Sequence, residues 1–519
     1  MATPQEKLAS SLDVLRALQT ENGAAAVRAK DLSRTHKDRL VENGFLVEIM
    51  KGWYILSRPD DRKGDSTAWY ASYWRFCAIY LQERFGNSWS LSPEQSLSIH
   101  TGNWTVPQQL LVRSPKARNK ITPLPHNTSL FDVRSSLPGP TESVKMEGLR
   151  FFSTSSALIL SSPLIFKDNP TDTRIALSMI RDSSDILPKL LEGGHSVVAG
   201  RLAGAFRNVG MNRIADEIIN TMQRAGYDIR ENDPFTSKLI FPETGRQTSP
   251  YVNRIKMMWL SMREVIIARF PKAPGLPNDI ETFMKHIKEV YVTDAYHSLS
   301  IEGYKVTPEL IERVRSGTWN PEANDREKEE KDALAARGYY QAYQAVLGSL
   351  GRILNRENSG QVVDEDHGTW YQELFEPSVK VGLIKLSDLA GYRNGPVYIR
   401  GSMHVPLNRD AVRDAMPALF DLLKEEQSAA VRVVLGHFIF VYIHPYMDGN
   451  GRIGRFFMNA MLVSGGYPWA VVPLGERKIY MEALEQASVH QNIEPFTDFI
   501  AKLVENRMKG GLLPEIPRP

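Results

Sequence analysis

Apolar residues recur at helical spacing near the start of the chain, at Leu12, Leu15 and Leu18 of SLDVLRALQ, which puts them on one helix face. Ser33 is a candidate N-cap for a following helix and Gly44 a candidate stop. The period then changes: FLVEIMKGWYIL, residues 45–56, reads as two short strands turning at Lys51-Gly52. Helices followed by a hairpin predict a winged helix over residues 1–62. Residues 63–240 mix the two periods. The stretches 69–102, 177–194 and 197–227 read as helices, whereas QQLLVRS (108–114) and LRFFSTSSALIL (149–160) read as strands, giving a mixed α+β region. The Pro-rich run PFTSKLIFPETGRQTSP, 234–250, marks a boundary. Beyond it the chain is strongly helical, as in RIKMMWLSMREVIIARF and DIETFMKHIKEVYVTDAYHSL. The segment opening at Trp319 carries a charge run that reads as a solvated helix face. The expected fold class is therefore mainly α and multidomain.

Composition narrows the picture. Of the 519 residues 42% are hydrophobic, enough for real cores. A formal net charge of +3 is too mild to mark a nucleic-acid binder, so any basic surface must be local. One such cluster is Arg34, His36, Lys37 and Arg39, on or near the recognition helix of the expected winged helix, where cations meet phosphates. Asp31, Asp38, Glu42 and Glu48 dilute it. The single cysteine, Cys77, excludes an intrachain disulfide framework and a cysteine zinc site. It lies in the apolar run YWRFCAIYL and reads as a buried thiol. His100 and His126 are isolated. No segment approaches about 18 consecutive apolar residues and no signal sequence stands at the start, so a soluble, cytoplasmic protein without membrane contact is expected.

The chemistry concentrates in HPYMDGNGRIGR, His444 to Arg455. GNGRIG matches the dinucleotide pattern, and Glu476 stands about where a ribose-binding acid is expected. That pattern needs a short strand ending at its first glycine, but the preceding SAAVRVVLGHFIFVYI is long enough to favour a helix. A helix ending near Ile443, before Pro445, fits better, followed by a tight loop and a second helix. Gly449 and Gly451 let backbone N–H groups approach an anion, the helix N-terminus adds partial positive charge, and Asn450 offers an amide. Arg452 and Arg455, three apart, share a face and can reach further phosphates. Asp448 can hold Mg²⁺ beside those phosphates. His444 then sits where a base would take a proton from an attacking hydroxyl.

This stretch resembles the signature of the Fic family, HPFx(D/E)GNGRxxR, with Tyr446 replacing the usual phenylalanine. The resemblance covers about residues 275–505, within a Fic region expected over 250–519. It implies an all-helical core that transfers AMP from ATP to a Ser, Thr or Tyr hydroxyl of a target protein or of itself. His444 would be the general base and Asp448 the Mg²⁺ ligand. Gly449, Asn450 and Gly451 would form the anion hole, with Arg452 supporting the phosphates and Arg455 at the γ-phosphate. Gly451 favours nucleotidyl transfer, because a phosphorylating relative carries lysine there. Tyr480 is a candidate adenine neighbour. SDLAGYRNGPVYIRGSMHVPL, 387–407, resembles the family's flap, a β-hairpin that aligns the target by strand pairing, with Gly391, Tyr392, Arg393, Val397 and Ile399 as candidate contacts. SLSIEG resembles the inhibitory motif (S/T)xxxE(G/N). Ser298, Glu302 and Gly303 would end an inhibitory helix near 291–303, and Glu302 would pair with Arg455 in the γ-phosphate's place.

Residues 1–240 resemble AbiEi-type abortive-infection regulators, through KDLSRTHKDRLVENGFLVEIMKGWYIL and NSWSLSPEQSLSIHTGNWTVPQQLLV. That implies a regulatory half that binds DNA or a partner. The expected whole is an autoinhibited protein adenylyltransferase and a candidate homodimer. Two alternatives stand beside it: a hydrolase that removes AMP with the same Glu302, and a toxin–antitoxin-type transcriptional regulator.

Overall fold

In a computed structural model, residues 3–22, 26–59, 65–237, 249–318 and 327–517 are described. Most of the Pro-rich boundary segment, and residues 319–326 where the charge run opens, lie outside them. The chain forms two compact units. The first comprises residues 1–250 together with Tyr398–Val405, and the second Tyr251–Val397 with Pro406–Pro519.

The first unit begins with α1 (Pro4–Asn22), β1 (Ala26–Arg28), a 3-10 turn, α2 (Arg34–Glu42), β2 (Leu46–Met50) and β3 (Trp53–Leu56). The three strands form an antiparallel sheet in the order β1-β3-β2. Ser33 caps α2 as expected, its Oγ accepting the His36 N–H at 3.2 Å. Then come α3 (Thr67–Phe85), β4 (Ser90–Leu91), α4 (Pro93–His100), β5 (Gln109–Ser114), β6 (Lys120–Pro123), β7 (Ser129–Arg134), β8 (Ser143–Met146) and β9 (Leu149–Phe152). The second sheet runs β4-β5-β7-β6, with β5 and β7 parallel, and β8-β9 is a hairpin. Cys77, on α3, is fully buried. The expected strand over 149–160 is half wrong. It stops at Phe152, because the Ser153 Oγ accepts the Ser156 N–H and starts a helix, a capping signal that outweighs the apolar run. Short helices follow: α5 (Thr154–Leu160), α6 (Ile165–Asp168), α7 (Pro170–Ser178), α8 (Leu187–Glu192), α9 (Ser196–Asn208) and α10 (Asn212–Arg224). The excursion Tyr398–Val405 is held in this unit. Arg400 Nε lies 2.8 Å from Asp65 Oδ2, and the Val106 N–H donates to the Met403 carbonyl at 2.9 Å.

The second unit is built from helices, without a strand among its described residues: α11 (Pro250–Arg269), α12 (Ile280–Ile301), α13 (Pro308–Arg315), α14 (Glu327–Leu354), α15 (Ser359–Lys380), α16 (Arg409–Glu425), α17 (Ala429–Ile443), α18 (Asn450–Ser464), α19 (Arg477–His490) and α20 (Glu494–Met508). At its centre are α17 and α18, joined by the loop 444–449. Helix α17 starts at Ser428, whose Oγ accepts the Val431 N–H. It is apolar on all sides and buried along almost its whole length, as expected of a helix surrounded by others. It ends at Ile443, where the sequence places the break.

The expected β-hairpin flap is absent. Residues 390–408 form turns without a strand. The Ser402 N–H donates to the Ile399 carbonyl in a local turn, and the Met403 carbonyl is taken by Val106. Backbone groups of this stretch bond locally, to Val106, to the Pro445 carbonyl and to the Thr67 hydroxyl, not across a hairpin ladder. Gly391 and Val397 lie in the irregular stretch, exposed and half-buried, and Ile399 is half-buried.

Candidate active site

The loop between α17 and α18 is set by two left-handed residues. His444 has φ 56°, ψ 61° and ends α17. Gly449 has φ 78° and precedes α18. A Cβ on Gly449 would also lie 2.8 Å from Phe375 Cε2, so this position needs glycine twice over. Asn450 binds the loop to itself: its Oδ1 accepts the Tyr446 N–H at 2.9 Å and its Nδ2 donates to the Tyr446 carbonyl at 2.8 Å. This corrects the expectation of a free amide for phosphate. The side chain is 2% exposed and fully engaged, leaving the backbone N–H at the start of α18 as Asn450's contribution to an anion. Tyr446 packs inward, stacked on Tyr371 with ring centroids 3.8 Å apart, so its extra hydroxyl leaves the loop undisturbed.

His444 is held in one tautomer. Its Nδ1 lies 3.1 Å from the Val441 carbonyl. A carbonyl only accepts, so Nδ1 carries the proton and Nε2 keeps its lone pair. Burial, joined by the nearby Arg393 charge, pushes the imidazole down to about 4. It is therefore neutral at physiological pH.

Two buried arginines lie on the first turns of α18. Arg452 is 1% exposed, with its guanidinium between the rings of Tyr304 at 5.1 Å and Phe375 at 5.0 Å and its Nη2 3.5 Å from Asp448 Oδ2. Arg455 is captured by the end of α12. Its Nε donates to Ser298 Oγ at 2.8 Å, and its Nη2 donates to the Ser298 carbonyl at 3.0 Å and to Glu302 Oε1 at 2.8 Å. Burial pushes the Glu302 carboxyl up, but Arg455, Arg452 and Arg477 outweigh it and hold it below its usual range. Glu302 thus stays ionised against Arg455. It also fills the space beside Gly451, where a Cβ would lie 2.3 Å from its Oε1. Gly303, at φ 93°, turns the chain away just after α12. Arg452 Nε and Arg455 Nη1 are buried without an acceptor, a condition that a bound anion would relieve.

Asp448 is the one acid of the loop, with its side chain 68% exposed and one oxygen accepting the Gly449 N–H. Among the described residues no group of three or more His, Cys, Asp or Glu converges. A divalent cation here would take Asp448 as its protein carboxylate and fill its remaining positions with phosphate oxygens and water, the donor set that suits Mg²⁺.

Several candidates fall elsewhere. Tyr480 is 1% exposed, and its hydroxyl lies 2.7 Å from His437 Nε2. Buried in that contact, it offers no face to a nucleobase. Arg393 is 4% exposed and bonds to main-chain carbonyls, and Tyr392 pairs its hydroxyl with His367 at 3.2 Å; neither is presented to a target. On α2, Arg39 donates to the Lys7 carbonyl and to Ser11 Oγ, each at 2.8 Å, and His36 meets Ser11 Oγ at 2.9 Å. Both serve to bind α2 to α1. Lys37 lies 3.0 Å from Asp38 and near the Tyr54 ring. Arg34 alone of the four projects into solvent, its side chain 92% exposed. Sequence reasoning missed Tyr304 and Phe375. One follows the inhibitory motif by one residue and the other lies on α15, and no local pattern connects either to Arg452.

The Fic/DOC family model matches residues 364–462, the stretch holding the loop and both arginines: the chain carries a Fic domain. Over 257 residues it is 28% identical to the protein adenylyltransferase Fic of Nematostella vectensis, covering 49% of this chain and 56% of that one. Over 121 residues it is 36% identical to the protein adenylyltransferase Fic of Drosophila willistoni, covering 22% and 24%. The chain thus spans between about a quarter and about half the length of these curated relatives. Among solved structures, Fic-1 (residues 134–508) from C. elegans aligns over 69% of this chain and 90% of its own, at 16% identity and a TM-score of 0.37. Ser298 and Glu302 lie outside the matched family region.

Proposed function

We propose that the chain is a protein adenylyltransferase held in check by its own Glu302. The observation that carries this reading is the pairing of a neutral His444, with its Nε2 lone pair free of the Val441 bond, and a glycine-opened helix N-terminus bearing Arg452 and Arg455. In the reaction, His444 Nε2 accepts the proton of a Ser, Thr or Tyr hydroxyl of the target as that oxygen attacks the α-phosphorus of ATP. The bond from the α-phosphorus to the bridging oxygen breaks, and pyrophosphate leaves. The N–H groups at Gly449–Gly451 and the two guanidiniums stabilise the charge that develops. Mg²⁺ held by Asp448 would neutralise phosphate charge and orient the triphosphate. With Glu302 on Arg455, the place suited to the γ-phosphate is filled by a carboxylate and ATP is kept from the productive pose.

The first unit is read as a module that binds DNA or a protein partner. Its α1-β1-turn-α2-β2-β3 order and β1-β3-β2 sheet support a winged helix. The inward ties of His36 and Arg39 favour a protein partner over phosphate contacts through α2.

Mass spectrometry of the Glu302→Gly protein after incubation with ATP and Mg²⁺ tests the reaction. An adenylyl adduct on a hydroxyl side chain is expected, on the protein itself or on an added target. A phosphoryl adduct would contradict it.

A further inference from the structure

We propose that Arg393 is a positioning residue for the base: it closes the left-handed turn that aims His444 and ties that turn to the 393–407 segment. The proposal rests on His444 acting as base.

A helix leaves its last carbonyls without partners, and the usual remedy is glycine in the left-handed position. Here that position is His444, a residue whose φ of 56° carries strain of about 1 kcal/mol or more unless the surroundings impose it. Arg393 imposes it. Its Nε donates to the His444 carbonyl at 2.7 Å, its Nη2 to the Ile443 carbonyl at 3.4 Å, and its own N–H to the Pro445 carbonyl at 2.9 Å. One residue thereby takes three successive carbonyls, and Asn450 takes the fourth, that of Tyr446. The same guanidinium reaches the other way. Nη1 donates to the Gly395 carbonyl at 2.9 Å and Nη2 to that of Leu407, closing the 393–407 loop at both ends.

A planar fork with donors in several directions can hold both sets at once. A lysine ammonium, a single point charge on a flexible stem, cannot. The cation also lies at the negative end of α17, where a positive charge is favoured. At 4% exposure the side chain is not offered to a target's main chain, so its place in the flap-like sequence is explained by this internal duty. Displacement of the 393–407 segment would be felt directly at the base.

The test uses the full chain carrying Glu302→Gly, with Arg393→Gln and Arg393→Lys compared. Expected are a fall in kcat of about 10- to 100-fold, the scale of an ångström-level misplacement, an unchanged KM for ATP, and no rescue by lysine. Deuterium uptake should rise together at 443–446 and 393–407 and stay unchanged in α18. An unchanged kcat, a rescue by lysine, or uptake rising at 393–407 alone would overturn the proposal. So would a KM for ATP that rises as kcat falls, because that reports loss of the phosphate cradle. Unchanged uptake in α18 guards against a folding failure of either variant. The uptake measurement decides the clamp even if Glu302→Gly transfers nothing, an outcome that overturns the transfer reading instead.

Discussion

The loop 444–455 and the helix α2 each present a short cluster of cations in the sequence, and the structure treats them in opposite ways. In the loop, Arg452 and Arg455 are buried, held by aromatic faces, a serine and a carboxylate, and keep guanidinium nitrogens without an acceptor. On α2, His36 and Arg39 are used up on α1, Lys37 rests against Asp38, and Arg34 stands in solvent. Charge in a sequence therefore says little about binding until its neighbours are known. Glycines, an amide, an acid and a histidine at fixed spacing constrain the backbone around the cation. Isolated basic residues on an amphipathic helix do not.

The largest effect that sharpens this contrast belongs to His444. In the Glu302→Gly background, His444→Ala should lower transfer by about 10²- to 10⁴-fold, the usual contribution of a general base, with ATP binding by calorimetry little changed. Next is the brake. A hydrogen bond to a charged group contributes about 1.5–3 kcal/mol, so Glu302→Gly should raise initial rates of transfer by about 10- to 100-fold over the wild type. Equal rates would break the account of Arg455.

The pH dependence follows from the lowered His444 value. In Glu302→Gly, which removes a carboxylate that raises the His444 value, the transfer rate should persist as pH falls through 6.5 and decline only at about 4 or below. For folding the sign is the same. His444 and His437 are both pushed down to about 4 by burial, so between 6.5 and 4 the unfolded chain binds more protons than the folded one. Their stabilisation is full above 6.5 and is lost as pH falls toward 4, which denaturant midpoints across that window would show.

The smallest effects lie on α2. Arg39→Ala should lower the stability of the first unit by about 1 kcal/mol, read as a shift in unfolding midpoint. Arg34→Ala should leave stability unchanged. If the unit binds DNA through α2, Arg34→Ala should reduce the salt dependence by about one phosphate contact. A much larger loss would restore α2 as the principal contact surface.

Some of this was legible in the sequence for physical reasons. Ser33, the turn at Lys51-Gly52, and the break before Pro445 are local signals, and each appears where the residues place it. The Ser298, Glu302 and Arg455 contact was legible through resemblance, since nothing local connects residues more than 150 positions apart. The rest depended on tertiary neighbours. Asn450 turned inward because Tyr446 offers both a donor and an acceptor. Tyr480 was buried against His437, and the 390–408 stretch formed turns with its backbone groups already engaged. Tyr304 and Phe375 have no motif at all, only the flat faces that Arg452 requires.

The most direct measurement is label transfer from α-³²P-ATP with Mg²⁺, comparing wild type, Glu302→Gly, and Glu302→Gly with His444→Ala. Strong protein-bound label in the single variant, weak label in the wild type and none in the double variant is the expected result. Equal label in the single and double variants, or none in Glu302→Gly despite bound ATP, would contradict a braked adenylyl transfer in which His444 is the base.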